Sequence, residues 1–456
     1  MTECTTQDRF EFGTSGAREI VAEFGGGTIS SDGGALLLRE TDARLNLLAR
    51  FSQCFLDRRN PALIEHSLEQ MLRQRVYGLA LGYEDLNDHE QLRLDPLLGM
   101  LAGKPDPGTD VLAGKSTLNR MELGTGEPHR YKKITFWRDG IDELLVNTFL
   151  ESHATAPEEI VLDVLDIDTT DVAIHGQQEG RFYHGYYDHY CYLPLYIFAG
   201  EHVLCARLRP SNIGASVGSV KEVQRIVQQI RARWPEVRIV LRGDSGFSHN
   251  ELMSWCEQNQ VDFVLGLARN HRLETLVAGV LAEAEQQFQA TQQPARIFVE
   301  FEHETVSGSW SQKRRVVAKA EHINGKSNPR FVVTSLGAQR WAAQSLYEQL
   351  YCARGDMENR LKEQFVLFAD RVSASTMRAN QLRIYLSVMA YTLMSGLRRL
   401  GLKATKLAQA QVGTIRLRLL KIGALVRVTV RKVWVRMASS YPYQALFAQV
   451  LHQLRT

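Results

Sequence analysis

The stretch that most constrains the fold is residues 160–170, IVLDVLDIDTT, a β-branched apolar strand that carries three aspartates. An unpaired carboxylate buried inside a sheet is costly, so acids in such a strand need solvent, a partner or a cation. Asp166 and Asp168 are two residues apart and therefore share one face of the strand. Solvated acids beside a turn are the common explanation of a single Asp-x-Asp pattern. A functional interpretation needs support from elsewhere in the chain.

A second strand gives that support. Residues 237–247, VRIVLRGDSGF, form another β-branched run, which ends in Asp244 and is broken by the serine and glycine that follow. If the two strands are neighbours, Asp168 and Asp244 lie at one edge of the sheet and can share a cation. Carboxylate oxygens are hard ligands that suit magnesium or manganese. Asp168 is the better candidate because it ends its strand, and Asp166 is the alternative.

The periodicity of the sequence predicts an α/β fold with flanking segments. Apolar residues recur at helical spacing up to about residue 150, and from Pro157 the pattern becomes that of strands and helices in the order β-β-β-α-β-α-β, typical of a mixed sheet. We predict five segments: a mainly helical N-terminal domain for DNA binding or oligomerisation (1–155), the first part of a catalytic core (156–272), a β-rich insertion (273–339), the last part of the core (340–400), and a basic C-terminal segment that contacts DNA (401–456).

A third acid is predicted on a helix spanning residues 341–368. Tyr351, Arg354, Glu358 and Lys362 follow one another at spacings of three, four and four, which places them on one helical face. Two interpretations remain open. The stripe is either a set of surface ion pairs, or the third carboxylate of a metal site with phosphate-binding cations beside it.

The distribution of charge predicts a polyanionic partner. The chain has 54 Lys and Arg and 51 Asp and Glu, but residues 371–456 hold 15 of the basic residues and no acid. Cations set against phosphates release counterions, so nucleic acid is the expected partner. Residues 414–439 alternate apolar with basic residues in two runs separated by 422–424, which predicts a hairpin with a cationic face. The residues predicted to bind DNA there are Arg416, Arg418, Arg427, Arg431, Lys432 and Arg436.

Several other classes of protein are disfavoured. There is no apolar run of the roughly 18 residues that a membrane span needs, and the first residues, MTECTTQDRFEF, show no signal-peptide pattern, so we expect a cytoplasmic protein with no membrane partner. The six cysteines include no CxxC pair, which argues against a zinc site or a disulfide scaffold. Gly114-Lys115-Ser116 lacks the rest of an ATP-binding loop.

Motifs along almost the whole chain carry a family resemblance. They are GGGTISSDGGALLL, GYEDLNDHEQLRLDP, KSTLNRME, RGDSGF and ENRLKE, together with DTT at Asp168 and the Y-x2-R-x3-E box that ends at Glu358. The chain resembles the DDE transposases of bacterial insertion sequences, which have an RNase H-like core interrupted by a β-strand insertion. It is most similar to insertion-sequence family thirteen-eighty, transposase DDE domain group one. It departs from the common box in one place: Phe365 stands where a lysine is usual, and Lys362 is the nearest substitute.

The resemblance implies a transposase that binds the terminal inverted repeats of its element, cleaves the DNA and transfers the strand. Asp168, Asp244 and Glu358 would hold two Mg²⁺ ions, for which Mn²⁺ can substitute, and two such ions activate water and stabilise the leaving oxygen. Tyr351 and Arg354 would position a DNA phosphate. The expected partners are the element ends and the target duplex, and a homodimer follows from the need to hold two ends. The expected location is the nucleoid-associated bacterial cytoplasm.

Two other functions stay open on the sequence. A metal-dependent nuclease or resolvase with the same core would cleave without strand transfer, although the large N-terminal domain and the insertion count against it. A non-catalytic DNA-binding regulator belongs to a different class, and the presence of all three acids counts against it.

Overall fold

The computed structural model describes residues 9–124, 127, 130–166, 172–174, 176–185, 188–214, 216–305 and 308–456. The chain divides into two compact units. The terminal unit comprises residues up to Ser52, Asp57–Met121 and Met389–Thr456, and the central unit comprises Gln53–Leu56 and Glu122–Val388. The N-terminal helices thus share a unit with the basic C-terminal segment, whereas the roles given to the five predicted segments stay predictions. In the described part of the chain, no helix has the length and apolar character needed to cross a membrane.

The terminal unit is mainly helical. Its helices are Leu36–Leu45, Leu47–Gln53, Leu68–Leu81, His89–Leu92, Pro96–Leu101, Lys115–Glu122, Val412–Ile415 and Gln444–Arg455, and the helix Met377–Gly401 enters it from the central unit. Its strands form a hairpin of Arg9–Ser15 with Arg18–Glu23, and a sheet in which Ala424–Val428 lies between Val433–Met437 and Ile29–Ser30. Segments from both ends of the chain meet again where Arg44 donates a hydrogen bond to the carbonyl of Gln453, at 3.0 Å.

The SSDGG stretch serves the packing of the terminal unit. A Cβ atom on Gly34 would lie 1.7 Å from the carbonyl oxygen of Leu419, so only glycine fits there. The Asp32 carboxylate accepts a hydrogen bond from the hydroxyl of Tyr83 at 2.8 Å and pairs with Lys421 at 2.7 Å. This motif therefore joins the two ends of the chain within the unit.

The predicted hairpin at residues 414–439 is wrong in its first run. Residues Arg416–Leu420 form a π-helix that follows the short helix Val412–Ile415, and the true hairpin turn lies at residues 429–432. The Arg416 guanidinium donates to the carbonyls of Leu79 and Ala80, at the carboxyl end of the helix Leu68–Leu81. Helix ends leave such carbonyls without intrahelical partners, and a cation there is favourable. Arg416 is therefore held by protein carbonyls in this structure.

His89 makes the stability of the terminal unit depend on pH. It is fully buried, and Arg75 donates to its Nε2 atom at 3.0 Å. Burial, followed by the charge of Arg75, lowers the pKa of His89 to about 3. In the unfolded chain the imidazole of His89 takes up a proton as the pH falls through about 6.5, whereas in the folded chain it stays neutral there. The free energy of unfolding therefore decreases as the pH falls below that value. We expect the free energy of unfolding to drop by about 2 kcal/mol between roughly pH 7 and pH 5. Urea titrations of the protein and of His89→Gln at both pH values would check this. The free energy of unfolding of the variant should fall by about 2 kcal/mol less than that of the unaltered protein. An equal fall in the two proteins would contradict the prediction.

The central unit is built on one nine-stranded mixed sheet. In chain order its strands are β1 (Glu159–Asp166), β2 (Leu195–Ala199), β3 (His202–Arg207), β4 (Arg238–Gly243), β5 (Asp262–Leu267), β6 (Ala295–His303), β7 (Arg314–Ile323), β8 (Lys326–Ser327) and β9 (Arg330–Thr334). The spatial order is β3-β2-β1-β4-β5-β9-β7-β6, and β8 pairs with β7. β4 runs parallel to β1 and β5, whereas β2 is antiparallel to both of its neighbours. The predicted mixed α/β sheet is confirmed.

The two faces of the sheet are covered differently. One face packs against the helices Arg138–Glu151, Ser219–Arg233 and Asn250–Gln258. The other face, with Val240 and Val264, packs against Leu346 and Leu350. The remaining helices of the unit are His271–Leu276, Ala278–Thr291, Ala343–Ser345 and Gly355–Val366, and Phe55–Asp57 pairs with Ile134–Phe136 as a short two-stranded sheet.

The segment predicted as a β-rich insertion continues the core sheet. β9 pairs antiparallel with β5, with Val264 opposite Thr334, and β7 and β6 follow outward. A sheet edge offers unpaired backbone groups, and the antiparallel addition of these strands satisfies them. A second small sheet, made of Val172–Ala173, His189–Tyr192 and Phe182–His184, lies in the connection between β1 and β2.

Candidate functional site

Asp244 lies at the end of β4, where the β-branched run stops. It begins a short 3₁₀ turn, Ser245–Phe247, and its Oδ1 atom accepts a hydrogen bond from the backbone N–H of Gly246 at 2.8 Å. This cap fixes the direction of the carboxylate. The residue is only 6% exposed, so its second oxygen is directed inward to the protein rather than to bulk water.

Glu358 reaches the same place from a distant part of the sequence. It lies in the first turn of the helix Gly355–Val366. Arg354, just before that helix, lies between the two acids: its Nη1 atom is 3.6 Å from Oδ2 of Asp244, and its Nη2 atom is 3.4 Å from Oε1 of Glu358. The structure therefore brings two of the predicted carboxylates together around one cation. Their ligand and catalytic roles stay predictions.

The single helix predicted for residues 341–368 is wrong. The structure has a short helix at Ala343–Ser345, a π-helix at Leu346–Tyr351, a 3₁₀ turn at Cys352–Arg354 and then the regular helix Gly355–Val366. A change of helical period rotates side chains away from the positions that a regular helix gives them, and such breaks are frequent at functional sites. The prediction that the side chains share one helical face therefore holds only from Arg354 onward, that is, for Arg354, Glu358 and Lys362.

Tyr351 packs tightly over the end of β5. A Cβ atom on Gly266 would lie 2.6 Å from the Tyr351 hydroxyl and 2.9 Å from the backbone nitrogen of Ser245, so glycine is needed there. Burial raises the pKa of Tyr351, which keeps its hydroxyl protonated and able to donate. The Arg354 guanidinium lies 6.0 Å from the centre of the Tyr351 ring.

A buried ion pair joins β1 to β4 close to Asp244. Asp163 on β1 and Arg242 on β4 are direct neighbours in the parallel register, and they form two hydrogen bonds, at 2.5 and 2.9 Å. Arg242 also donates to the carbonyl of Leu350 at 2.6 Å, just before Tyr351. This pair explains how Asp163, the first aspartate of residues 160–170, can be buried in the sheet. Arg242 is the residue that sequence reasoning missed; an arginine near the end of a β-branched strand was the available signal.

A second set of ion pairs fixes the helix that carries Glu358. Arg360 contacts Glu363 on the same helix at 3.2 Å and Glu201, in the turn between β2 and β3, at 3.1 Å. Glu363 is buried. The contact with Glu201 attaches the middle of the helix to the turn between β2 and β3.

The other predicted site residues fall in three groups. Asp168 lies outside the described residues, and Asp166 ends β1 opposite Leu195, with its side chain outside the described set. Lys362 is exposed one helical turn beyond Glu358, on the same helix. The predicted DNA-binding residues of the terminal unit other than Arg416 are exposed: Arg418, Arg427, Arg431, Lys432 and Arg436.

The exposed face of the true hairpin is mixed rather than wholly cationic. Arg427 lies opposite Trp434 and Arg436 lies opposite Leu425, so two arginines alternate with two apolar side chains. Arg431 and Lys432 lie in or beside the turn.

The donor chemistry of the site suits a hard divalent cation in part. Asp244 and Glu358 supply carboxylate oxygens, the ligands that Mg²⁺ and Mn²⁺ prefer. Within the described ranges, no group of three or more His, Cys, Asp or Glu side chains is placed to hold a metal ion. The two carboxylates therefore fit as part of a ligand set, and the predicted third member, Asp168, is outside those ranges.

Comparisons with known proteins identify the family of the chain. The family profile "Transposase DDE domain group 1" matches residues 12–456. Among solved structures, the chain is similar to a piggyBac transposase in a cryo-EM structure of its synaptic complex with hairpin DNA, with 10% identity, a TM-score of 0.42, and coverage of 85% of this chain and 79% of that one. No match is found among curated proteins. Since the family profile spans nearly the whole sequence, the chain belongs to the transposase DDE domain group 1 family.

Proposed function

We propose that this transposase binds the terminal inverted repeats of a bacterial insertion sequence, cleaves the DNA there and transfers the freed strand to a target duplex. The observation that carries the proposal is the convergence of Asp244 and Glu358 on Arg354, at 3.6 and 3.4 Å. The order β3-β2-β1-β4-β5, with β1 between an antiparallel and a parallel neighbour, supports an RNase H-like core for this chemistry.

The proposed ligand set for two Mg²⁺ ions is Asp168, Asp244 and Glu358. Divalent ions held in this way supply an activated water and stabilise the leaving oxygen of a phosphodiester. The protein contributes the positions of the ligands. The N–H of Gly246 orients Asp244, and the ion pairs of Arg360 hold the helix of Glu358.

Arg354 and Tyr351 are the proposed phosphate contacts. A guanidinium forms strong, directional hydrogen bonds to phosphate oxygens, and a protonated tyrosine hydroxyl can donate one more. Lys362, exposed on the same helix, would add a cation toward the DNA backbone. In the terminal unit, Arg418, Arg427, Arg431, Lys432 and Arg436 are the proposed phosphate contacts, and their charge would give binding a marked dependence on salt. Two element ends would be held by a homodimer.

The direct test is a nicking assay on a labelled duplex that carries the element's terminal repeats, with Mg²⁺, with Mn²⁺ and with chelator. Cleavage at the repeat boundary that exposes a 3′-hydroxyl supports the proposal. Asp168→Ala should abolish this cleavage. If Asp166→Ala abolished cleavage and Asp168→Ala did not, Asp166 rather than Asp168 would be the first metal ligand. Cleavage without joining to target would favour the nuclease alternative. Tight repeat binding without cleavage under either metal would favour the regulator.

Arg354 should compete with the metal for the two carboxylates. Replacing it in Arg354→Gln removes a positive charge within 4 Å of both acids, so we expect Mn²⁺ to bind about tenfold more tightly. Cleavage should fall in the same variant because the phosphate contact is lost. Calorimetric titration with Mn²⁺ gives the affinity. The control, Arg371→Gln, removes the same charge from an exposed position beyond the helix; a similar gain there would contradict the competition.

A further inference from the structure

The small sheet between β1 and β2 exposes two aromatic rings side by side. Tyr183 on the strand Phe182–His184 lies directly opposite Tyr190 on the strand His189–Tyr192. Their ring centres are 5.8 Å apart and the ring planes are inclined by 78°. Tyr183 is 53% exposed and Tyr190 is 43% exposed, whereas the next residues on the second strand, Cys191 and Tyr192, are fully buried. The core of the central unit therefore does not account for these two rings.

The exposed rings are held in place and carry a cation. The Arg181 guanidinium lies 4.6 Å from the centre of the Tyr190 ring. It is fixed by the carbonyl of Gly176 and the side-chain oxygen of Gln177, each at 2.6 Å. The Tyr183 hydroxyl donates to Asp188 at the turn of the hairpin. The two rings and the guanidinium form a pre-oriented surface, which we name the tyrosine platform (Arg181, Tyr183 and Tyr190).

The connection that carries this platform starts and ends at one edge of the large sheet. The segment leaves the sheet after Asp166 and returns at Leu195, and these two residues are paired in the register of β1 with β2. On the other side of β1, Val164 is paired with Gly243, the residue just before Asp244. The connection that carries the platform therefore begins and ends at the sheet edge where Asp244 lies.

We propose that the tyrosine platform binds unpaired nucleobases of the DNA strand beside the cleavage site. Unpaired bases stack on exposed aromatic rings and on arginine planes, whereas bases inside a duplex are already stacked on one another. The charge of Arg181 suits the adjoining phosphates. This inference rests on the proposed function and adds to it: the protein would recognise the opened end of its DNA substrate as well as the duplex.

The test compares two DNA substrates with the full-length protein in the absence of divalent metal, so that cleavage plays no part. One is a fully paired repeat duplex. The other carries a short unpaired tail at the repeat boundary that contains 2-aminopurine, whose fluorescence is quenched on stacking. The unaltered protein should bind the tailed duplex more tightly and quench the probe. In Tyr183→Leu and Tyr190→Leu, which keep apolar bulk without an aromatic ring, binding of the tailed duplex should weaken about tenfold and quenching should disappear.

The controls separate stacking from structure. Tyr190→Phe keeps the ring and should bind and quench like the unaltered protein. Binding of the paired duplex should stay unchanged in every variant, which also shows that the variants fold. Equal loss on both substrates, or quenching that persists when Tyr183→Leu and Tyr190→Leu are combined in one protein, would overturn the inference while leaving the proposed function intact. If the unaltered protein bound neither substrate, the proposed function would fail and this inference with it.

Discussion

Asp244→Asn is expected to reduce DNA cleavage by about a thousandfold or more while binding of repeat DNA stays within about twofold. Asparagine keeps the size of the side chain and an oxygen that can accept from the Gly246 N–H. It loses the negative charge that Asp244 would contribute to the proposed ligand set, and divalent ions in that set would stabilise several kcal/mol of transition-state charge. Glu358→Gln should behave in the same way, because its carboxylate meets the same guanidinium. The nicking assay gives the rates, and a gel-shift titration gives the affinity.

The matched control is Asp356→Asn. Asp356 is exposed in the first turn of the same helix, two residues before Glu358, so this variant makes the same change of charge on the same helical turn. It should cleave at close to the normal rate. If it lost as much activity as Asp244→Asn, general electrostatics rather than ligation would be responsible. If Asp244→Asn lost repeat binding as well, its carboxylate would have a structural role.

Asp163→Ala is expected to lower the free energy of unfolding by about 3–5 kcal/mol, the usual cost of leaving one partner of a buried ion pair alone. Arg242 is buried, and of its hydrogen bonds to described residues it would keep the one to the Leu350 carbonyl. Because that contact holds the chain just before Tyr351 and Arg354, cleavage should also fall. Urea unfolding followed by tryptophan fluorescence would measure the loss.

The structure offers a control at the start of the same two strands. Arg238 at the start of β4 pairs with Glu158, and their side chains are 49% and 86% exposed. Exposed pairs contribute little, so Glu158→Ala should cost less than about 1 kcal/mol. A double variant, Asp163→Leu with Arg242→Met, should recover part of the loss because both charges are removed together. Equal costs for Asp163→Ala and Glu158→Ala would show that burial does not set the strength of the Asp163 pair.

The parts of the fold that sequence could predict are those with a regular period. The β-branched runs at residues 160–166 and 238–243 are strands, and the acid at the end of the second run lies at the sheet edge, as its position predicted. The helical stripe left the approach of Glu358 to Asp244 as one of two open interpretations, and the family motif favoured it, since no local pattern links residues 114 positions apart.

The parts that sequence missed depend on contacts between distant residues. The π-helix at Leu346–Tyr351 has the same apolar spacing in sequence as an ordinary helix, and its break is set by packing against the sheet. Alternation of Arg with Leu around Arg416 predicts a strand, but the carbonyls at the end of the helix Leu68–Leu81 bind its guanidinium and favour the helical form. The pairing of Asp163 with Arg242 depends on the strand register, which neither strand encodes alone.

Segments from both ends of the chain form the terminal unit, so this unit can be completed only after the ribosome has synthesised the central unit. The central unit occupies the middle of the chain, so all of its strands have been synthesised before Ala424–Val428 emerges to pair with Ile29–Ser30. The ribosome therefore translates more than half of the protein after the N-terminal helices and before the strand Ala424–Val428 and the helix Gln444–Arg455. A premature stop codon after the Glu358 helix would leave every strand of the large sheet present and the terminal unit incomplete. Gene copies shortened at their 3′ end should thus yield proteins that retain the strands of the large sheet and lose the basic hairpin.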